Sequence, residues 1–490
     1  MAYLHGVYGE IMDSQVSGAT QADSVYAYIG TAPVNLIRGY ADLNLVNMPV
    51  KIANMSDAQS KVGYSGDWAS FTLCEAFAQH FDNTIGNVGP IYVVNVLDPD
   101  VHKDAEKTTK TLTFKNNRTE FESSDIILDT FAIADKVEGV DYSLSYNFAS
   151  GNVIVRLLKD IESESLECTY NTVDPSAVDT DDIIGQETAD GQYMGLHAMS
   201  LLYQYHNAVL NVLAAPGWSH NPEVYQAMVS TVQKLNGHWD GFVNADIPLM
   251  DSQSQEIDTI DKALQWAEKN GYNSEYSKVY WPQVIDGSGR IFHLSTVGST
   301  TMLRVDLENN SVPFESPSNK AIMATGLYFG EESKNRGFDQ QKANTLNEKG
   351  ITTACFWGGQ WVLWGPHTAA YTYNGNMDAR GIFDSNIRML EYITNSFQLD
   401  HGTEIDAPMT PQDKDTILNF EKQKLDTLLG IGALIGTPTV EFLETENPTS
   451  NMMNGDFVWD ITATPTPPFK SGTVRVCYTD EGFQSFFESE

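Results

Sequence analysis

The sequence predicts a multidomain α/β (α+β) fold: an α/β domain interrupted by a β-rich insertion, a C-terminal α/β region, and a tethered terminal strand. Three observations carry this. Strand-like apolar runs alternate with amphipathic helical stretches on both sides of a polar interval at 98–190. That interval is rich in Thr, Ser, Asp and Glu, with short alternating strands of its own. The chain of 490 residues is too long for one small core, so about two to four domains are expected.

In chain order, 25–30 reads as a strand, and 13–24 before it as a connector. A helix is expected over 68–81, where Trp68, Phe71, Cys74, Phe77, Ala78 and Phe81 recur at three- and four-residue spacing, with Asp67 as N-cap. The near-continuous apolar run 91–96 suits a strand covered on both faces. Within the polar interval, 111–114 and 152–157 alternate as exposed-face strands do. Helix and strand signals then resume: a helix at 195–204, a buried strand at 207–215, a helix at 221–235 with Pro222 in its first turn, a strand at 241–248 and a helix at 258–270. In the last region, a helix at 340–348 closes at Gly350, 351–364 is aromatic and strand-like, and 379–397 and 411–429 read as helices. The prolines of 464–468 stiffen a tether, beyond which Thr473, Val474, Arg475, Val476, Cys477 and Tyr478 alternate cleanly. This final strand either pairs within its own chain or adds to a sheet of another subunit.

Composition narrows the function. With 29 basic against 65 acidic residues, the net charge of −36 argues against a broad basic face for nucleic acid. No apolar run reaches the roughly 18 residues of a membrane span, and residues 1–10 do not read as a secretory signal. Cys74, Cys168, Cys355 and Cys477 are far apart, without zinc-ligand or disulfide spacing, and read as buried free thiols.

Motifs for chemistry are missing as well. There is no phosphate-binding loop, no G-x-S-x-G elbow, no H-E-x-x-H and no Cys–His nucleophile signature. The acidic pairs Asp181–Asp182 and Asp98/Asp100 lie in polar loops, where chance pairing is expected in so acidic a chain. His80 and His293 stand beside apolar residues as satisfied core or surface groups. No catalytic, metal or cofactor-binding residue is assigned, and no enzyme activity is expected.

Several short motifs resemble, in order, those of the contractile tail sheath family. Gly6-Val7-Tyr8 with Glu10 resembles the family's opening; 77–83, Gly89 and 91–96 follow; then Ala214-Ala215-Pro216-Gly217, Ala245-Asp246-Ile247-Pro248 and Tyr280-Trp281-Pro282. The segment 306–320 resembles the family's D-x-x-x-G-x-x-x-A-P-A-N stretch, with Asn310, Ser316 and Ser318 as substitutes. Leu346-Asn347 with Gly350-Ile351, and Trp364-Gly365 with Thr368, complete the series, the latter without the family's arginine.

The resemblance implies a structural subunit that polymerises as stacked hexameric rings around a tail tube and contracts to drive the tube through an envelope. Its implied partners are other copies of itself, the tube protein, and baseplate and tail terminator proteins, within a virion or phage-tail-like particle assembled in the bacterial cytoplasm. The implied organisation is an N-terminal arm (1–20), a sheath domain in two parts (21–97 and 191–335), the insertion (98–190), a C-terminal sheath domain (336–463) and a C-terminal arm (464–490). Strands of the two arms, at Gly6, Val7 and Tyr8 and at 473–478, would complete a small sheet in neighbouring subunits. In the 411–429 helix, Lys422 and Lys424 either snorkel or meet acidic groups of the tube. The rival readings are a baseplate component, a carbohydrate-acting enzyme and an unrelated shell protein.

Overall fold

A run such as 91–96 has no polar face to offer water, so it needs cover on both sides. The computed structural model, which describes residues 24–159, 165–331 and 337–487, supplies that cover. Its elements run β1 (Tyr26–Gly30), β2 (Pro49–Ile52), α1 (Met55–Lys61), α2 (Leu73–Phe81), β3 (Ile91–Asn95), β4 (Thr108–Thr113), β5 (Arg118–Glu122), β6 (Ala132–Ile133), β7 (Tyr142–Asn147), β8 (Asn152–Leu157) and β9 (Ser165–Tyr170). They continue with α3 (Thr180–Ile184), α4 (Leu201–His206), β10 (Val212–Ala214), α5 (Pro222–Val232), β11 (Phe242–Asp246), α6 (Ile260–Lys269), β12 (Ser277–Tyr280), β13 (Gln283–Ile285), β14 (Ile291–Phe292), α7 (Leu294–Glu308) and β15 (Gly326–Tyr328). The last are α8 (Gln340–Asn347), β16 (Ile351–Trp357), β17 (Gln360–Trp364), α9 (Asp384–His401), α10 (Pro411–Gly430), β18 (Leu434–Glu441), α11 (Thr449–Asn454) and β19 (Asp460–Pro465).

The main sheet has eight strands in the order β17-β16-β12-β11-β10-β1-β3-β2. Strands β16 through β3 in that order are parallel neighbours; only the outermost, β17 and β2, run antiparallel. Every residue of β1, β3, β11 and β12 is buried, as strands sandwiched between helices must be. The polar interval folds between β3 and α3 as two three-stranded antiparallel sheets, β4-β9-β6 and β5-β8-β7, around Leu112, Phe131, Val153, Val155 and Tyr170. In the last part, α9 and α10 pack with the hairpin β18–β19 around Met389, Ile393, Leu425, Leu428 and Leu434.

Differences from the sequence reading have local causes. Helix α2 starts at Leu73 rather than 68, because Thr31 and Thr72 hold one another: each backbone N–H donates to the other's hydroxyl, at 3.2 and 3.0 Å. Asp67 still caps, but of the preceding turn, accepting from Ser70 N at 3.3 Å. At Gly30 an added Cβ would lie 2.3 Å from the Thr72 hydroxyl oxygen, so the close approach of β1 to this turn requires glycine. The 207–215 run is a strand only over Val212–Ala214. The 379–397 run is a short 3₁₀ turn followed by α9, since the Asp384 side chain turns into the core. Residues 351–364, grouped from sequence with the last region, form β16 and β17 at the edge of the main sheet. Cys477 is exposed, unlike the other three cysteines, which are buried.

Candidate assembly interface

The hairpin β18–β19 is a sheet of two strands only, so each strand has one edge unpaired by any other strand among the described residues. Such edges are templates for another chain. The hairpin is held from below by α10, which begins in a capping box: Asp413 N donates to Thr410 Oγ1, and Thr410 N donates to Asp413 Oδ2. Its buried stripe is Ile417, Glu421, Leu425 and Leu428, an i, i+4, i+8, i+11 pattern that brings a carboxylate into the core, while the adjacent Phe420 is 43% exposed.

Glu421 is answered across the α9–α10 seam. His401 Nε2 lies 2.8 Å from Glu421 Oε1, and Lys424 Nζ donates to Asp400 Oδ2 at 2.5 Å. Burial opposes the charged form of His401, but the Glu421 and Glu404 carboxylates raise its pKa above the usual histidine value. Lys424 therefore fastens α10 to α9 and is not a free cation, whereas Lys422 points outward.

After β19 the chain is anchored once more, by Thr466, whose N–H donates to Ala433 O and whose hydroxyl donates to Gly432 O. Lys470 lies over the Tyr371 ring at 5.6 Å. From 471 to 487 the side chains project into solvent. Residues 473–478 form no strand in the single chain; Val474, Val476 and Tyr478, on one face of the alternation, are 85%, 89% and 80% exposed. Burying each valine is worth about 1.5–3 kcal/mol, little of which is gained in the single chain. Phe469, Phe483, Phe486 and Phe487 are exposed as well and were not singled out from sequence; the signal was four phenylalanines within nineteen residues of the tail, 469–487. Gly6, Val7 and Tyr8 lie outside the described residues.

Several buried charges elsewhere are paired within the chain. Lys278, fully buried, donates to Asp384 Oδ2 at 2.8 Å and to the carbonyls of Gly365 and His367 at 2.6 and 3.2 Å. Burial lowers its pKa, against the pull of Asp384. Arg388 pairs with Asp306, which also accepts from Tyr26 OH at 2.7 Å. His293, at the start of α7, gives its backbone N–H to Glu75 Oε1 at 2.6 Å, and its ring lies 2.7 Å from Glu75 Oε2. Burial disfavours its cation, but Glu75 carries its pKa up to about 9. His80 lies 2.6 Å from Tyr28 OH and 3.0 Å from Val88 O. The acidic pairs are turn and cap residues: Asp98 accepts from Asp100 N, and Asp182 closes the capping box of α3. Among the described residues no group of three or more His, Cys, Asp or Glu could hold a metal ion, and no helix is long and apolar enough to cross a membrane.

No family model matches the chain. The tail sheath protein of Burkholderia phage BcepMu is 25% identical over 502 residues, covering 98% of this chain and 97% of that protein. The chain resembles contractile tail sheath proteins over nearly its whole length. The fold agrees. A chain in the baseplate structure of the anti-feeding prophage matches with TM-score 0.54 at 13% identity, covering 97% of this chain and 100% of that one. A chain of the contracted sheath complex of the extracellular contractile injection system PVC matches with TM-score 0.53 at 13% identity, covering 99% of each. In these sheath-like folds, as here, several sheets and helices combine in one mixed α/β chain.

Proposed function

We propose that the protein is the structural subunit of a contractile tail sheath and that it works by assembly, not catalysis. One observation carries this: an alternating apolar segment, 473–478, stands in solvent on a proline tether that follows a two-stranded sheet whose outer edges pair with no other strand among the described residues. Each subunit would lay this segment on the β18–β19 hairpin of a neighbour, and the N-terminal arm around Gly6, Val7 and Tyr8 would add a further strand. Main-chain pairing of this kind survives rigid-body rotation, because the linkers absorb the motion. Contraction would exchange small interfaces for larger, better-packed ones.

The whole-length likeness to a phage tail sheath protein supports the reading, and the likeness to chains of baseplate and sheath structures supports self-assembly and a place beside a baseplate. The tube and the tail terminator are further proposed partners, and the particle is the proposed location. Lys422, which is exposed, remains a proposed tube contact; Lys424 would act there only by holding α10 in place. The insertion, which interrupts the main sheet between β3 and β10, is proposed to face outward from the sheath.

Negative-stain microscopy of the concentrated purified chain tests the proposal. Hollow, helically striated tubes are expected. A chain that stays monomeric even with its tube and baseplate supplied would contradict it.

A further inference from the structure

The seam between α9 and α10 holds a histidine with a carboxylate at each ring nitrogen. His401 Nε2 lies 2.8 Å from Glu421 Oε1, and its Nδ1 lies 3.4 Å from Glu404 Oε2. A neutral imidazole has one N–H and one lone pair, so it can donate to one of these carboxylates and turns its lone pair on the other. The imidazolium, with two N–H groups, suits both. The rings of Phe397 and Phe420 lie against it, with centroids 4.8 and 5.5 Å away, and the side chain is 12% exposed. Water is therefore a poor substitute for a missing proton.

The other charges of the seam give no relief. Asp400 of α9 is held by Lys424 of α10, whose Nζ is also 3.9 Å from Glu421 Oε2. Three carboxylates thus meet two cations, and they meet one when His401 is neutral. Lys414, further up α10, pairs with Asp415. On the hairpin side, Trp459 packs on Phe397, the acids Glu441 and Asp460 stand opposite each other, and neither β18 nor β19 contains a lysine, arginine or histidine.

Helix α10 depends on this seam unevenly. Its second half is held by Leu425 and Leu428, which pack with Met389, Ile393 and Leu434. Its first half, 411–420, buries only Ile417, and the connection before it is exposed throughout 402–408. We infer that His401 is a proton-dependent latch: as the imidazolium it pins the first half of α10 to the end of α9, and on losing its proton it frees that half while the second stays docked. Against burial, Glu421 and Glu404 raise the pKa of His401 above its ordinary 6.5. The latch is therefore fully closed below about pH 6.5 and opens as the pH rises through the raised value. It belongs to the single subunit and does not rest on the sheath reading.

Hydrogen exchange of the unassembled full-length chain, read by mass spectrometry between about pH 6 and 9 and corrected for intrinsic rates, tests the inference. Protection of 414–421 should fall about tenfold or more over that range, while protection of 425–430 falls less than about threefold. His401→Gln, which cannot take up the proton, should abolish the fall. Glu404→Gln, at a half-exposed site where the fold should tolerate it, offers the neutral ring an N–H to accept and should shrink the fall. Protection of 414–421 that does not change with pH, a fall shared equally by 425–430, or a fall unaltered by both variants would overturn the inference.

Discussion

The centre of the main sheet and the last twenty or so residues treat their side chains in opposite ways. In the sheet and the helices packed on it, charges are answered: Lys278 by Asp384 and two carbonyls, Arg388 by Asp306, His293 by Glu75. In the tail, even valines and phenylalanines stand in water. The first region is complete within one chain, and the second leaves its apolar side chains uncovered there. Under the proposed function, the stability of the fold and the capacity to assemble lie in separate residues, and substitutions should pull them apart.

The largest effect on stability belongs to the buried pair. Lys278→Ala leaves Asp384 without its cation inside the protein and should cost about 3–5 kcal/mol, read as a lowered urea midpoint. A loss below about 1 kcal/mol would mean that the sheet is not locked through this pair. The α9–α10 seam comes next. Lys424→Ala strips Asp400 of its charged hydrogen bond and should cost about 1.5–3 kcal/mol, whereas Lys422→Ala, on the outer face, should stay within about 0.5 kcal/mol. Equal effects at the two lysines would remove the distinction drawn between them.

The His293–Glu75 pair adds a pH dependence. The folded pKa of His293 is raised to about 9 from an ordinary 6.5, so its contribution is complete below about pH 6.5 and is lost as the pH rises through 9. The midpoint of thermal unfolding should fall over that window, and His293→Gln should flatten the fall; an unchanged slope in the variant would show that another group titrates. Smallest in stability, and largest in assembly, is the tail. Val474→Asp with Val476→Asp should leave unfolding within about 0.5 kcal/mol of the parent, since neither side chain touches the fold.

Much of this was legible in the sequence where the signal is local. Apolar runs marked the buried strands, and Pro222 and Pro411 marked helix starts, whereas 473–478, read as a strand from its alternation, forms none in the single chain. The polar core was not legible, because its partners are 106 residues apart for Lys278–Asp384 and 280 for Tyr26–Asp306, and no local pattern records such pairing. For the same reason β16 and β17 were grouped with the wrong neighbours: a parallel crossover brings Ile351 beside Val279 across intervening elements. Lys424 was read from helical periodicity alone, which fixes a face but not the Asp400 waiting on the adjacent helix.

The most direct measurement of the central claim is microscopy of the parent chain and the Val474→Asp, Val476→Asp variant side by side, with tube and baseplate supplied and folding checked by circular dichroism. The account predicts striated tubes from the parent and none from the equally folded variant. Tubes of normal length from the variant would contradict it.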